Sequence, residues 1–300
     1  MRGDRPADHP ALSDLAEQLA TPGRRGVILT YITGNVVAPI GMLLVLVLIV
    51  LAFVGPWIVP HDPLEQSFLS ASQGPSAEYW FGTDAFGRDV FSRVLLGTQA
   101  SLAIGVTAPV LAALCGTWVG MLAGYFGGWT DRLLSRFSDL LMSFPTLLLG
   151  IMIAAALGPG FRTAIIAIAI ALFPRFVRLA RSATQVVRRE PFIDASIASG
   201  RGPLAIMARH VLPNIAGPLI VALSLWIATA IRLEAALSFL GLGTQPPAPS
   251  WGNMIRDGMG DLVGDPWPAA FAGAAITVAV LAFNMVGDAL RDLLDPEMDV

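Results

Sequence analysis

Residues 191–214 read PFIDASIASGRGPLAIMARHVLPN and lie between two long apolar segments. Pro191 suits the first turn of a helix. Asp194 falls near that start, where the helix dipole favours an anion. Ile193 and Ile197 share a face at i, i+4, with Ala195 and Ser199 on a second line and Ser196 and Gly200 on a third. The spacing predicts about two turns of helix with mostly small side chains, ended by Gly200, which can take a positive φ. Arg201 and Gly202 turn the chain. Pro203 opens a second helix, PLAIMARHVL, which Pro213 is expected to stop. Such a face lets the backbone of another protein come close. The alternative is an amphipathic loop lying on a membrane surface.

The rest of the chain says where this stretch sits. Of 300 residues, 55% are hydrophobic and only 14% are charged, too few to cover a soluble protein of this length. The composition points to a polytopic membrane protein. A net charge of −3 argues against a nucleic-acid partner. The one cysteine, Cys115, excludes a disulfide framework and reads as a small packed hydrophobe. All nineteen basic residues are arginine. With no lysine there is neither a Walker A loop nor a Schiff-base lysine. No HExxH or GxSxG occurs, so membrane protease and esterase chemistry lacks its groups. No metal site is expected.

A spanning helix needs about 20 mostly apolar residues. Six segments qualify, near 36–59, 99–124, 136–158, 161–183, 215–241 and 268–290. Residues 1–35 form a tail, and 36–300 one membrane domain with connections at 60–98, 184–214 and 242–267. With the N-terminus inside, fourteen arginines fall on the inner side and four (Arg88, Arg93, Arg162 and Arg256) on the outer. That asymmetry puts both termini in the cytoplasm and the 184–214 loop with them. Trp57, Trp251 and Trp267 then fall near the outer interface and Trp129 near the inner one.

Gly116, Gly120 and Gly124 repeat at i, i+4, i+8 and make one smooth face, for helix packing or for lining a path. Arg232 and Glu234 lie toward the outer end of the fifth span, where charge is costly and marks function by default. Their i, i+2 spacing turns them to different sides. Packing a pair of subunits and lining the path are both open readings for them. In GTDAFGRDVFSR, Asp84 and Arg88, and Asp89 and Arg93, are paired at i, i+4, which predicts a short solvated interfacial helix. Asp257, Asp261 and Asp265 are separated by glycines and read as a solvated acidic loop.

At DASIASGRGPLAIMARHVLPN the chain resembles the EAA loop of ABC-importer permeases, which contains a coupling helix that docks on a cytoplasmic ATPase. Asp194-Ala195-Ser196, Gly200 and Val211-Leu212-Pro213 carry the match, with Asp for Glu and Ser for the second Ala. HDPLEQ, WFGTDAFGRDVFSRVLLGTQASL, EAALSFLGLGTQPPAPSWGNMI and LAFNMVGDALRDLLDP are similar to the C-type permease of dipeptide/oligopeptide importers, over roughly residues 36–297. The resemblance implies an all-α, six-span type I importer fold and a non-catalytic subunit. Asp194, Ala195, Ser196, Gly200, Leu212 and Pro213 would then couple to the ATPase. It further implies a second, homologous permease subunit and two ATPase subunits that bind ATP and Mg. An extracytoplasmic binding protein would deliver the solute. A stand-alone secondary transporter using Glu234 and Arg232, and a membrane enzyme, are the rival readings.

Overall fold

The computed structural model describes residues 37–294, so the predicted 1–35 tail lies outside the described residues. Ten α-helices are present among those residues. Five stretches are long and apolar enough to cross a membrane: α1 (Val37–Ile58), α2 (Val90–Phe126), α5 (Phe161–Val187), a continuous run from Pro203 to Phe239, and α10 (Trp267–Leu294).

The third expected span, 136–158, is not one helix. α3 (Gly128–Met142) and α4 (Thr146–Leu157) meet at 91°. Pro145 has no N–H to give and keeps Phe144 out of helical geometry, so the chain turns at Ser143–Phe144. α4 alone is about 18 Å long at 1.5 Å per residue, short of a bilayer core of about 30 Å. α3 is fastened back onto α5: the Arg181 guanidinium donates to both Asp131 carboxylate oxygens, Nη2 to Oδ2 at 2.7 Å.

Pro213 does not stop a helix either. α7 (Pro203–Ile206) runs through a π-helical turn (Met207–Val211) directly into α8 (Leu212–Phe239). The Leu212 N–H reaches five residues back to the Met207 carbonyl. Widening the turn in this way lets a proline, which cannot donate, pass without breaking the run.

α2 starts nine residues before the expected 99, which shortens the preceding loop. Asp89 caps it, accepting the Ser92 N–H at 3.0 Å. The predicted separate interfacial helix at 82–93 is therefore absent. In its place Thr83 and Asp89 form an isolated antiparallel bridge, and Gly87 turns at φ +71° against the Ser67 carbonyl, where a side chain has no room.

Gly116, Gly120 and Gly124 face α5. A Cβ on Gly116 would lie 2.7 Å from that of Phe176, and one on Gly120 2.8 Å from that of Ala180. The stripe packs two helices of one subunit, which corrects the path and subunit-interface readings. Two apolar cores result. One joins the later half of α2 with α4, α5, the π turn and α8. The other joins α1, the early half of α2, α10 and α9 (Trp251–Gly258), a short helix in the 242–267 connection.

Candidate functional site

The sequence-predicted helix is present as α6 (Pro191–Ala198), at the arginine-rich end of the bundle. Its capping follows the residues. Pro191 occupies the first turn, and Gly200 closes the helix at φ +79°. The Gly200 N–H bonds the Ile197 carbonyl at 2.9 Å, and the Arg201 N–H reaches back to Ser196 at 3.3 Å. The hydroxyls of Ser196 and Ser199 donate to carbonyls of the same helix, at 2.8 and 2.7 Å. They present bulk and no free donors.

α6 has a single buried side chain, Ile193, which is fully enclosed in the larger core with Tyr125, Phe176, Met207 and Val211. Phe192, Asp194, Ala195, Ile197 and Gly200 are exposed. A Cβ on Gly200 would meet nothing within 4 Å. Ile193 and Ile197 therefore part company: one roots the helix and the other stands free with Phe192. α6 is thus a small, flat, partly apolar projection held to the ends of three spans by one bolt. Arg201 lies 3.0 Å from the His210 ring, tying the turn after α6 to the π segment.

Leu212 and Pro213 are not part of this projection. They lie at the base of α8, with Leu212 packed on the core and Pro213 exposed. The structure brings Asp194, Ala195, Ser196 and Gly200 together and leaves these two on the span behind them.

Glu234 is fully buried. The Ser238 hydroxyl donates to one carboxylate oxygen at 2.7 Å; the other has no hydrogen-bond partner, with Ser101 on α2 and Ser250 at the start of α9 nearby. Packing within the chain encloses it. Ser250 and Asn253 cap α9 reciprocally. The Ser-x-x-Asn spacing before an apolar helix was the signal that could have located α9. Trp251 is buried too, its indole N–H donating to the Val94 carbonyl at 3.2 Å, so it is not an interfacial belt residue. Arg232 is exposed, and its guanidinium donates to the Thr229 hydroxyl at 3.0 Å.

At the opposite end, charges are buried that were expected to be solvated. Arg88 Nε donates to Asp84 at 2.7 Å, Arg93 lies 3.6 Å from the same carboxylate, and Asp257 on α9 approaches Arg88 at 3.8 Å. Asp84, Arg88 and Arg93 are all under 10% exposed. The side chains of Asp89 and Arg93, the other expected pair, form no ion pair; the Asp89 carboxylate is taken by the cap. Asp265 is buried as well. Burial raises its pKa, against the opposing hydrogen bonds from the Trp267 N–H and Ser72. Among the described residues no cluster of three or more His, Cys, Asp or Glu side chains could hold a metal ion.

The fold is similar to that of a chain of the MetNI methionine ABC transporter in an inward-facing conformation. The TM-score is 0.55 at 19% identity, covering 68% of this chain and 97% of that one. Five long spans, one bent passage and a short exposed helix at one end make up an ABC-transporter permease fold. Residues 116–300 match the family described as binding-protein-dependent transport system inner membrane component, and residues 30–75 match the N-terminal transmembrane domain of oligopeptide transport permease C. The chain belongs to the first of these families and is a multi-pass inner-membrane protein. It is 45% identical over 264 residues to a dipeptide transport system permease protein, DppC, of Alkalihalophilus pseudofirmus, covering 88% of this chain and 87% of that one. It is also 45% identical over 257 residues to a glutathione transport system permease protein, GsiD, of Escherichia coli, covering 85% of each.

Proposed function

We propose that the chain is one of two permease subunits of an ATP-driven, binding-protein-dependent importer of di- and oligopeptides. It performs no covalent chemistry. ATP and Mg bind two peripheral ATPase subunits on the cytoplasmic side, and an extracytoplasmic protein delivers the peptide. Both termini lie in the cytoplasm, as the arginine asymmetry favours. The single observation that carries the reading is α6: an exposed small-residue helix, joined to the bundle core through Ile193 and placed between two spans. Closure of the ATPases on α6 would be transmitted through that side chain into the ends of α2, α5 and α8. The peptide class rests on the names of the dipeptide and glutathione permeases. A solitary transporter using Glu234 is disfavoured by the burial of that residue among serines.

The test is recovery of the tagged chain from its own membrane in gentle detergent, with ATPase and peptide uptake assayed after reconstitution. Co-recovery of an ATPase and a second permease is expected. Gly200→Asp should insert normally, since open space surrounds the residue, yet lose the ATPase and the uptake. A chain recovered alone, or normal uptake by an inserted Gly200→Asp protein, would overturn the assignment.

A further inference from the structure

Among the described residues, Arg232 is a charged side chain left uncovered within a span, toward the outer end of α8, and two independent helix registers place it. Ile231 packs on Gly105, which lies fifteen residues after Val90 and twenty-one before Phe126. On the other side Leu225 packs on Gly287 of the antiparallel α10. Seven residues further along α8, Arg232 is level with residue 280, thirteen residues after Trp267 and fourteen before Leu294. That is about 20 Å from either end of α10. α8 itself ends nearer, seven residues on at Phe239, about 10 Å away.

The surroundings are polar where a lipid-facing surface is not. α1 exposes Leu43, Leu46, Val50 and Phe53 and no polar group between them. On α8, half-buried Thr229 and exposed Arg232 follow Leu225, which packs on α10, at i+4 and i+7. On α10, Thr277, Asn284 and Asp288 repeat at i, i+7, i+11 and are exposed or half-buried. Because Leu225 and Gly287 bring the two helices together, these faces adjoin. No carboxylate lies within ion-pair distance of Arg232 among the described residues. An uncompensated guanidinium in a span faces water or an anion and not hydrocarbon.

We propose that the α8–α10 face lines the solute path and that Arg232, in the outer part of α8, holds the carboxylate of the passing peptide. A guanidinium offers a planar fork of donors that matches a carboxylate. Thr229 holds it on the helix surface from below. The proposal rests on the importer reading and adds to it a site and a chemical class: a solute with a free carboxylate.

The experiment uses the whole transporter, reconstituted with its ATPases and binding protein, in a Cys115→Ala background. Wild-type uptake of a labelled dipeptide comes first; if there is none, the importer reading itself fails. Arg232→Cys should assemble, keep basal ATPase and lose about tenfold or more in uptake, the scale of a lost charged hydrogen bond. A cationic thiosulfonate reagent should then restore uptake to within about threefold of the background protein, while an anionic one should not. Charge restored at one position separates an electrostatic role from a packing one. Full uptake by Arg232→Cys, no reaction of the cysteine with either reagent, or equal effects of the two would each overturn the site. An ion pair with the second permease, or a lipid-facing position, would give the unreactive result.

Discussion

Truncating Ile193 to alanine tests how motion enters the bundle. Ile193 is the only buried residue of α6 and is fully enclosed. The change removes three carbons, worth about 2.4 kcal/mol at about 0.8 kcal/mol each. The cavity left behind adds to this, so the figure is a lower bound. At 1.4 kcal/mol per factor of ten, the detached state of α6 becomes about fifty times more populated. α6 has eight residues, and isolated helices below about 12–15 residues are marginal in water, so its shape depends heavily on the packing of its one buried side chain. Amide exchange at residues 194–200 should therefore speed up about fifty-fold, and peptide taken up per ATP hydrolysed should fall. Ile193→Val removes one carbon, about 0.8 kcal/mol, and should speed exchange only about fourfold. Unchanged exchange in Ile193→Ala would show that α6 is held by something other than this side chain. Faster exchange with unchanged uptake per ATP would refute transmission through it.

Three further perturbations follow from the packing. Gly120→Val should abolish recovery of folded protein, because its Cβ would lie 2.5 Å from the Val177 carbonyl oxygen; Gly217→Ala, whose nearest neighbour would be 3.9 Å away, should be recovered at wild-type yield. Arg88→Ala strips Asp84 and Asp257 of a buried partner and should cost about 3–5 kcal/mol, read as a lower unfolding temperature, whereas Arg178→Ala breaks a pair that is more than half exposed and should change it by under about 1 kcal/mol. Asp265 titrates above its ordinary value, so the folded protein holds this proton more tightly than the unfolded chain does. Its contribution to stability therefore falls as pH rises from the unfolded carboxylate value through the raised one. Thermal unfolding of the purified complex across that window should show the decline, and Asp265→Asn should flatten it.

The apolar runs were long enough, and the arginines asymmetric enough, for the spans to be read without coordinates. α6 was legible as well, since Pro191 and Gly200 act through local backbone geometry that no neighbour alters. The bend between α3 and α4 was not. Pro109, Pro174 and Pro218 also sit in apolar runs, yet their helices continue. A proline frees a carbonyl wherever it occurs, and its own burial does not decide the outcome: Pro109 and Pro174 are buried, while Pro218 is as exposed as Pro145 and its helix still continues. The charged segment at 82–93 misled because its partners lie elsewhere in the chain. Acid and base at i, i+4 suit a helix or a turn equally, and Arg93 together with Asp257, from a distant part of the chain, completes the turn.

What the sequence determined alone was therefore whatever depends on composition and neighbouring residues: a multi-span membrane chain, the smooth stripe on α2, the short capped helix α6, and the presence of two charges in a span. Tertiary structure decided what each feature faces. The glycine stripe could serve any close approach until α5 filled it. Glu234 and Arg232, two residues apart, were equal candidates until packing enclosed one among three serines and left the other bare. A helix turns by about 100° per residue, so two neighbours in sequence meet different surroundings, and which of them reaches solvent is settled only when the other helices arrive.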